Sequence, residues 1–301
     1  MWLETNMIHI IIPVHNRLHF TKKCLASLDR QSFRDWHAYI VDDGSSDGTH
    51  EWVNSLARPD ISYIQGDGSL WWTGSMDLGV QTALTNTSNG DFIMSLNNDL
   101  IFFSNDSIEI LIETTKNNSN SICGSLSVAD SKNKEVMSSG SKMLSWVLNI
   151  PHHPLYGNFY SNITNFNPIE VDMLTGRSVI YPVSVFDNEN RFNFEMFPQY
   201  GGDNEFTFRA KKMGHKLFIV PNSVVIVNRS ETGINPMDKV LSFSEKIESL
   251  FSIRSVNNLT IRTRFAMSVP PWYARPTYLI IAFLKIIAQL FLSNLIIKFR
   301  K

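Results

Sequence analysis

The chain has 301 residues with 27 basic and 28 acidic side chains, which gives a net charge of −1 at neutral pH. This length suits one large α/β domain with an appendage, and the balanced charge predicts no nucleic-acid partner. Its two cysteines, Cys24 and Cys123, form no CxxC pair, which argues against a zinc site or a disulfide framework and favours the reducing cytoplasm.

Strands and helices alternate along the first third of the chain. Continuous apolar runs rich in β-branched residues predict buried strands at residues 7–14, 37–41, 61–64 and 91–96. Helices are predicted at residues 18–30, 74–84 and 107–115, with a further helix after Asp47. This alternation indicates a parallel sheet with right-handed crossovers.

The rest of the chain is less regular. Strands are predicted at residues 121–128, 135–143, 170–174, 178–181, 216–220 and 224–228, and a long loop at 149–167. Helices are predicted at residues 203–213 and 237–264, and a last one begins at Pro276. We expect a catalytic domain over residues 1–235, with a nucleotide-binding half (1–100) and an acceptor-binding half (101–235), followed by a C-terminal helical extension over residues 236–301.

An acidic turn, VDDGSSDGT, follows the second predicted strand. Asp42 and Asp43 stand at the carboxyl end of that strand, which is the edge where open α/β sheets bind ligands. Two carboxylates suit a base N–H and a ribose hydroxyl better than a bare phosphate, since like charges repel. The alternative is an Asx turn with a helix cap.

A glycine-rich segment, GDGSLWWTGSMDLG, covers residues 66–79. Its glycines allow the backbone to approach a ligand closely. Trp71 and Trp72 are predicted to form a wall for a sugar or a base, because aromatic faces pack on sugar C–H groups. The alternative is that one of the two belongs to the core.

Asn97-Asn98-Asp99 follows the fourth predicted strand and is the candidate metal site. Mg²⁺ and Mn²⁺ take oxygen ligands, commonly one or two carboxylates together with substrate phosphates. Asp99 supplies the charge, and Asn97 is expected to position a ribose or a metal-bound water. The alternative is a plain turn at the end of a strand.

Asp203 opens a predicted helix after two glycines. A carboxylate at a helix N-terminus is stabilised as the anion, and it is then available to take a proton from an attacking hydroxyl. Glu205 and Arg209 are four residues apart and are expected to pair. Helix capping alone is the alternative explanation for Asp203.

Taken in this order, the motifs PVHNR, VDDGSSDGT, GDGSLWWTG, LNNDL and GGDNEFTFRAKKMG resemble the family 2 glycosyltransferases with the GT-A fold, over residues 7–230. The closest resemblance is to rhamnosyltransferase-like members. It implies a mixed, mostly parallel sheet flanked by helices and inverting transfer from a nucleotide-diphosphate sugar. It implies that Asp42 and Asp43 contact the nucleoside, that Asp99 binds a divalent metal, Mg²⁺ or Mn²⁺, and the diphosphate, and that Asp203 is the base.

The remaining predicted site residues fall into two groups. The donor-binding group comprises Pro13, Val14, His15, Asn16, Arg17, Gly44, Gly68, Trp72, Gly74, Asn97 and Asn98. The acceptor-side group comprises Trp71, Gly176, Arg177, Gly202, Glu205 and Arg209.

The chain departs from the family pattern in two places. The family's metal motif usually begins with Asp, where this chain has Asn97, and its helix acid is often preceded by Glu, where this chain has Gly202. The Gln-x-x-Arg-Trp signature of processive synthases is absent, which favours addition of a single sugar to a glycan or lipid-linked glycan, as in O-antigen synthesis. Alternatives are a sugar-nucleotide-binding subunit without catalysis and a nucleotidyltransferase, although the basic phosphate loop of the latter is missing.

The C-terminal segment is basic and apolar. From residue 252 onward there is no Asp or Glu, and the basic residues are Arg254, Arg262, Arg264, Arg275, Lys285, Lys298, Arg300 and Lys301. A narrow polar stripe on an otherwise apolar helix predicts that the helix lies in the membrane interface, on the inner face of the cytoplasmic membrane. The alternatives are a membrane span and packing against a second copy of the chain in a homo-oligomer.

Overall fold

The structure is a computed structural model that describes residues 6–187, 190–228 and 241–300, with side chains described up to residue 292. Its strands are β1 (Ile8–Val14), β2 (Trp36–Asp42), β3 (Ile61–Gln65), β4 (Phe92–Leu96), β5 (Leu100–Phe102), β6 (Ser121–Ala129), β7 (Val136–Ser138), β8 (Lys142–Ser145), β9 (Ile150–His152), β10 (Ile169–Val171), β11 (Ser178–Pro182) and β12 (Lys216–Val227). Its helices are α1 (Leu18–Leu28), α2 (Thr49–Ser55), α3 (Trp71–Leu84), α4 (Ser107–Asn117), α5 (Gly202–Lys212), α6 (Phe243–Phe251), α7 (Leu259–Ser268) and α8 (Arg275–Arg300).

One mixed sheet forms the centre of the molecule. Its strand order is β10-β12-β6-β11-β4-β1-β2-β3, with β5 paired to β12 and β7 paired to β6. Strands β1 to β4 are mutually parallel where they pair, whereas β11 runs antiparallel to both β4 and β6. The carboxyl ends of β1, β2 and β4 therefore meet at one edge, next to the amino end of β11.

Helices cover both faces of this sheet. On one face α1, α2 and α4 pack through apolar side chains such as Leu25, Val53 and Leu111. On the other face α3 and α5 pack through Met76 and Phe206. Apart from the buried His9, β1 is apolar because its isoleucine side chains lie in both clusters, as a strand covered on both faces requires. The predicted mixed sheet flanked by helices is confirmed.

Several predicted elements have different bounds in the structure. The predicted strand pair at 216–228 is the single strand β12, with a register shift between Val220 and Val224 that accommodates Pro221. The predicted strand at 135–143 is divided into β7 and β8. The predicted strand at 170–174 is the shorter β10. Helix α3 begins at Trp71, three residues earlier than predicted, so Trp71 and Trp72 lie in the first turn of the helix rather than in the loop before it.

The predicted helix at 237–264 is two helices in the described residues, α6 and α7, because Ser252 is extended and Asn258 caps α7 by accepting from the N–H of Ile261. Residues 237–240 lie outside the described residues. The same holds for the predicted boundary between residues 235 and 236, so the division into two domains stays a prediction. The last helix begins next to Pro276, as predicted.

Gly79 allows α3 to lie directly on the sheet. A Cβ at this position would overlap Ile11 of β1 and would stand 2.9 Å from Val41 Cγ2 of β2. This close approach accounts for Gly79 by packing alone.

We expect Gly79→Ala to destabilise the fold by about 1–3 kcal/mol, because an extra methyl group in a packed core forces the helix and the strands apart. The measurement is the midpoint of urea unfolding. Gln81→Ala, an exposed substitution on the same helix, is the matched control and should shift the midpoint less, since it removes only the hydrogen bond from Gln81 Nε2 to Asp77 Oδ2. An unchanged midpoint for Gly79→Ala would contradict the packing assigned to this glycine.

Candidate active site

The turn after β1 is held by the loop after β2. The backbone N–H of Asn16 donates to Ser45 Oγ at 2.7 Å, and Asn16 Oδ1 accepts from the N–H of Ser46 at 3.0 Å. Asn16 and Arg17 both have left-handed backbones, with φ of 53° and 75°. Two consecutive non-glycine residues in this region cost free energy, and such strain concentrates at functional sites. The clamp from the β2 loop thus holds a strained turn that sets the position of Arg17.

The first residues of this motif are part of the same corner. Pro13 and Val14 are the last residues of β1, paired in register with Val41 and Asp42. His15 is exposed, and its Nδ1 lies 2.6 Å from the carbonyl oxygen of the next turn, that of Asp43. The PVHNR motif and the acidic turn therefore form one unit at the sheet edge.

Asp42 and Asp43 are both buried, and both carboxylates accept hydrogen bonds from the protein. Asp42 Oδ1 accepts from the N–H of Ser45 at 2.9 Å, and its Oδ2 accepts from Tyr63 Oη at 3.0 Å. Sequence reasoning missed Tyr63, a half-buried residue of β3, because no motif surrounds it in the sequence. Its hydroxyl nevertheless contacts Asp42. The Asx turn offered as the alternative is present, and nucleoside binding by these acids stays a prediction.

Asp43 determines the path of the glycine-rich loop. Its Oδ1 accepts from the N–H of Gly68 at 2.8 Å and of Leu70 at 3.2 Å, while Oδ2 accepts from the N–H of Trp71 at 2.8 Å. The carboxylate thereby satisfies backbone donors at the start of α3 from a separate strand. Gly44 lies against this loop, and a Cβ there would stand 3.2 Å from Gly68 Cα.

The two tryptophans differ in their surroundings. Trp72 packs against the core cluster beneath α3, and its indole N–H donates to Asn97 Oδ1 at 2.8 Å. Trp71 is half-buried with a φ of 56°, and a role as a wall for a sugar or base stays a prediction for it. Gly74 lies one turn further along α3, buried against Leu70. That contact accounts for Gly74 by packing.

The Asn97-Asn98-Asp99 triplet has three different environments. Asn97 reaches Trp72, whereas the buried amide of Asn98 donates to Thr21 Oγ1 of α1 at 3.0 Å, a contact that fixes α1 on the sheet. Asp99 Oδ2 lies 3.8 Å from Arg17 NH1. Burial raises the pKa of Asp99, while the positive charges of Arg177 and Arg17 oppose that rise.

Asp203 opens α5 next to the Gly176 turn. Its Oδ2 accepts from the N–H of Gly176 at 2.9 Å, and its Oδ1 accepts from the N–H of Asn204 at 2.8 Å. Burial raises the pKa of Asp203, and these amide donors together with Arg177 oppose the rise. A half-buried carboxylate with a raised pKa and fixed orientation suits a general base.

Glycines bring α3, α5 and this turn into contact. A Cβ on Gly176 would stand 2.6 Å from Trp72 Cζ2 and 3.2 Å from Asp203 Cβ. A Cβ on Gly202 would stand 2.5 Å from Thr73 Oγ1. The start of α5 therefore touches the start of α3, the helix that Asp43 caps.

Glu205 and Arg209 pair as predicted. Arg209 Nε donates to Glu205 Oε1 at 2.8 Å, and NH2 donates to Glu205 Oε2 at 3.0 Å. The same guanidinium also donates to Asn190 Oδ1 and to the carbonyl of Arg191. These contacts hold the segment before α5 against the helix, so packing accounts for both residues.

The predicted acidic clusters converge in space through a continuous series of contacts. Asp43 holds the start of α3, Trp72 links α3 to Asn97 and to the Gly176 turn, and that turn binds Asp203. The N–H of Asn97 donates to the carbonyl of Arg177 at 3.0 Å, which closes the series. A concavity of about 340 Å³ lies beside it, lined by Gly44, Ser45, Ser46, Gly48, His50, Glu51, Tyr63 and Gln65.

The donor set at the predicted metal position does not fit a divalent cation. No group of three or more His, Cys, Asp or Glu side chains is placed to hold a metal within the described part of the chain. Asp99 is paired with Arg17 and also interacts electrostatically with Arg177. Asn97 accepts a hydrogen bond from Trp72, and Asn98 is buried. A cation bound there would face two guanidinium groups across a single carboxylate.

Comparison with known proteins assigns the family. Residues 9–188 match Glycosyl transferase family 2, and the chain belongs to this family. An uncharacterized glycosyltransferase of Rickettsia felis is 26% identical over 195 residues, which are 63% of this chain and 29% of that protein. A protein of Rickettsia conorii with the same description is 25% identical with the same coverage. The chain thus spans 29% of the length of these relatives.

Solved structures share the fold. S. aureus TarS 1–349 in complex with UDP superposes with a TM-score of 0.56 and 14% identity, over 91% of this chain and 69% of that one. GalNAc-T7 with UDP, GalNAc and Mn²⁺ superposes with a TM-score of 0.61 and 13% identity, over 89% of this chain and 52% of that one. The predicted GT-A fold and the predicted membership of glycosyltransferase family 2 are confirmed, whereas the rhamnosyltransferase-like subgroup stays a prediction.

We expect Asp43→Asn to destabilise the protein by about 2–3 kcal/mol, because an amide nitrogen would face backbone donors that now share a carboxylate. The measurement is urea unfolding followed by tryptophan fluorescence, which also reports on Trp71 and Trp72. Asp67→Asn, an exposed change in the same loop, is the control and should leave the unfolding midpoint nearly unchanged. Equal effects of the two substitutions would contradict the role given to Asp43.

Proposed function

We propose that this protein transfers one sugar, with inversion, from a nucleotide-diphosphate sugar to an acceptor hydroxyl, with Asp203 as the general base. The observation that carries the proposal is the fixed Asp203 carboxylate, which two backbone amides orient beside the β4 edge. The UDP in the complexes of TarS and GalNAc-T7 supports a nucleotide-sugar donor, since both share this fold.

The chemistry follows from these positions. The acceptor oxygen attacks the anomeric carbon on the face opposite the diphosphate, and its proton passes to the Asp203 carboxylate. The bond from the anomeric carbon to the phosphate oxygen breaks, and that oxygen keeps the electron pair. The network from Asp43 to Asp203 contributes by holding both substrates in reacting geometry.

We expect Asp203→Asn to lower transfer by at least about 100-fold while donor binding stays nearly unchanged, since the amide cannot accept the proton. Transfer and hydrolysis are measured with a panel of UDP-, GDP- and dTDP-sugars that includes dTDP-rhamnose, which also tests the rhamnosyltransferase-like subgroup. Glu113→Gln, an exposed change on α4, is the control.

Equal loss of donor binding and transfer in Asp203→Asn would contradict a base role. Donor binding without any turnover in the unaltered protein would favour the sugar-nucleotide-binding subunit, and nucleotide transfer would favour the nucleotidyltransferase. Burial raises the pKa of Asp203, and the base works only when it is deprotonated. As the pH is lowered, activity should therefore begin to fall at a pH above the ordinary aspartate pKa of about 3.9. The pH profile of kcat/KM measures this.

The acceptor is proposed to lie at a membrane because α8 turns its apolar face outward. Tyr278, Ala282 and Ile286 are buried against the protein, whereas Leu284 is 58% and Phe291 78% exposed. The predicted polar stripe thus faces the protein in part, and Lys285 on it donates to the carbonyl of residue 149. Residues 272–292 are also long and apolar enough to cross a membrane by length and composition.

Two other segments extend this apolar surface. Helix α6 exposes Phe243 and Phe251, and Lys246 ties it to α8 through the carbonyl of residue 290. The β8–β9 hairpin exposes Leu144 and Leu148. Its Trp146 packs between Tyr278 of α8 and Phe208 of α5, with ring centroids 6.0 and 4.9 Å apart. The surface therefore rests directly on α5, the helix that carries Asp203.

We propose that this surface, formed by α6, α8 and the β8–β9 hairpin, lies on the inner face of the cytoplasmic membrane and that the acceptor is a lipid-linked glycan of an envelope polysaccharide such as an O-antigen. Exposed apolar side chains next to basic residues suit an anionic bilayer. Arg254 and Arg262 are exposed in the same region. Association of two copies through this face is the alternative.

We expect the double substitution Leu284→Asp and Phe291→Asp to lower binding to anionic phospholipid vesicles about tenfold or more, because each side chain loses its apolar burial and adds a repelled charge. Flotation with the vesicles measures binding. Met213→Asp, an exposed apolar residue outside this surface, is the control. Unchanged flotation would contradict the membrane role, and conversion of a dimer to a monomer would support the alternative.

A further inference from the structure

Two arginines flank Asp99 at the sheet edge where the diphosphate of a donor would lie. Arg17 stands at the end of β1, with NH1 3.8 Å from Asp99 Oδ2. Arg177 stands immediately before β11, whose first residue Ser178 pairs in register with Leu96, the last residue of β4. Strands β1 and β11 lie on opposite sides of β4, so the two arginines approach the residues that follow β4 from opposite sides.

The backbone places Arg177 between the two functional carboxylates. Its carbonyl accepts from the N–H of Asn97, two residues before Asp99, and the preceding N–H, that of Gly176, donates to Asp203 at 2.9 Å. Arg177 is half-buried, so solvent only partly screens its charge. In agreement with this position, the positive charge of Arg177 lowers the pKa of both Asp99 and Asp203 against the effect of burial.

The placement of Arg17 comes at an energetic cost. Its φ of 75° follows the 53° of Asn16, and a bulky non-glycine residue such as arginine rarely adopts this left-handed conformation. The clamp from Ser45 and Ser46 holds the turn in this conformation. Strain maintained by a dedicated clamp indicates that the position of the guanidinium matters.

These groups balance one another before the donor binds. Asp99 and Asp203 supply two negative charges, and Arg17 and Arg177 supply two positive ones. A donor adds the charges of its diphosphate, and one more negative charge develops on the leaving oxygen as the sugar bond breaks. Guanidinium groups match phosphate oxygens in geometry and keep their charge at every relevant pH.

We propose that Arg17 and Arg177, rather than a divalent metal, stabilise the leaving diphosphate of the donor. This inference rests on the proposed function and assigns the charge stabilisation within that same site. The electron pair of the broken sugar–oxygen bond stays on the diphosphate, where the two guanidinium groups donate hydrogen bonds to it. The proton of the acceptor goes to Asp203, so charge and protons balance without a metal.

The first test is calorimetric binding of UDP, GDP and dTDP to the full chain, each compared with its nucleoside, in EDTA and in excess Mg²⁺ or Mn²⁺. We expect at least one diphosphate to bind in EDTA, with an affinity that the metal changes less than about threefold. Arg17→Gln and Arg177→Gln should each weaken diphosphate binding about 10- to 100-fold and leave nucleoside binding unchanged, because a charge-assisted hydrogen bond is lost. Arg177→Lys should retain part of the affinity.

The control is Arg30→Gln, an exposed change at the end of α1, which should bind as the unaltered protein does. Urea unfolding of every variant separates lost binding from lost folding. Diphosphate binding that requires the metal, or that is unaffected by both arginine substitutions, would overturn the inference. Failure of all three diphosphates to bind with or without metal would instead overturn the proposed function.

The second test is turnover of the best donor found in the sugar-nucleotide panel. Transfer should persist in EDTA, and Arg177→Gln should lower kcat more than it raises KM, since the charge it stabilises grows in the transition state. Transfer that stops in EDTA and returns with Mn²⁺ would overturn the inference even if the arginine variants were impaired.

Discussion

The site depends on the hydrogen bonds that one buried carboxylate accepts. The Asp43 carboxylate accepts hydrogen bonds from the backbone N–H groups of Gly68, Leu70 and Trp71. These bonds determine where the glycine-rich loop ends and α3 begins. Since α3 starts at that point, the indole of Trp72 reaches Asn97 and its ring edge fills the space over Gly176. Asp43 thereby links the β2 edge to the start of α5 through Trp72 and the Gly176 turn.

The same contacts give the site its electrostatic character. Asp99 and Asp203 are partly shielded from water, which raises the pKa of each, and the positive charge of Arg177 opposes this rise at both. Charges of opposite sign thus share a small, partly desolvated space, where their interactions are stronger than on an open surface. The apolar surface of α6, α8 and the β8–β9 hairpin contacts α5 through Trp146, so one helix connects Asp203, the proposed base, with the proposed membrane surface.

Buried elements were predictable, and elements defined by partners were not. The strands β1, β2 and β4 are mostly apolar because both faces are covered, and their sequence shows this directly. The start of α3 was predicted three residues late because Asp43, distant in sequence, supplies its cap. Two strands were predicted over residues 216–220 and 224–228, but the ladder of β12 with β6 continues between them through a register shift. The acidic motifs were predicted as site features, and this stays a prediction, since Asp42 and Asp43 accept hydrogen bonds from the protein's own donors.

The sequence by itself determined the strand-helix alternation, the position of the acids at strand ends and the apolar character of the C-terminal helix, because periodicity and residue type are local properties. Only the tertiary structure decided that Arg17 and Arg177 flank Asp99, that Trp72 links three elements, and that α8 turns its apolar face outward. These features depend on strand register and helix packing between residues far apart along the chain. Such contacts follow from how the elements assemble, which no local pattern specifies.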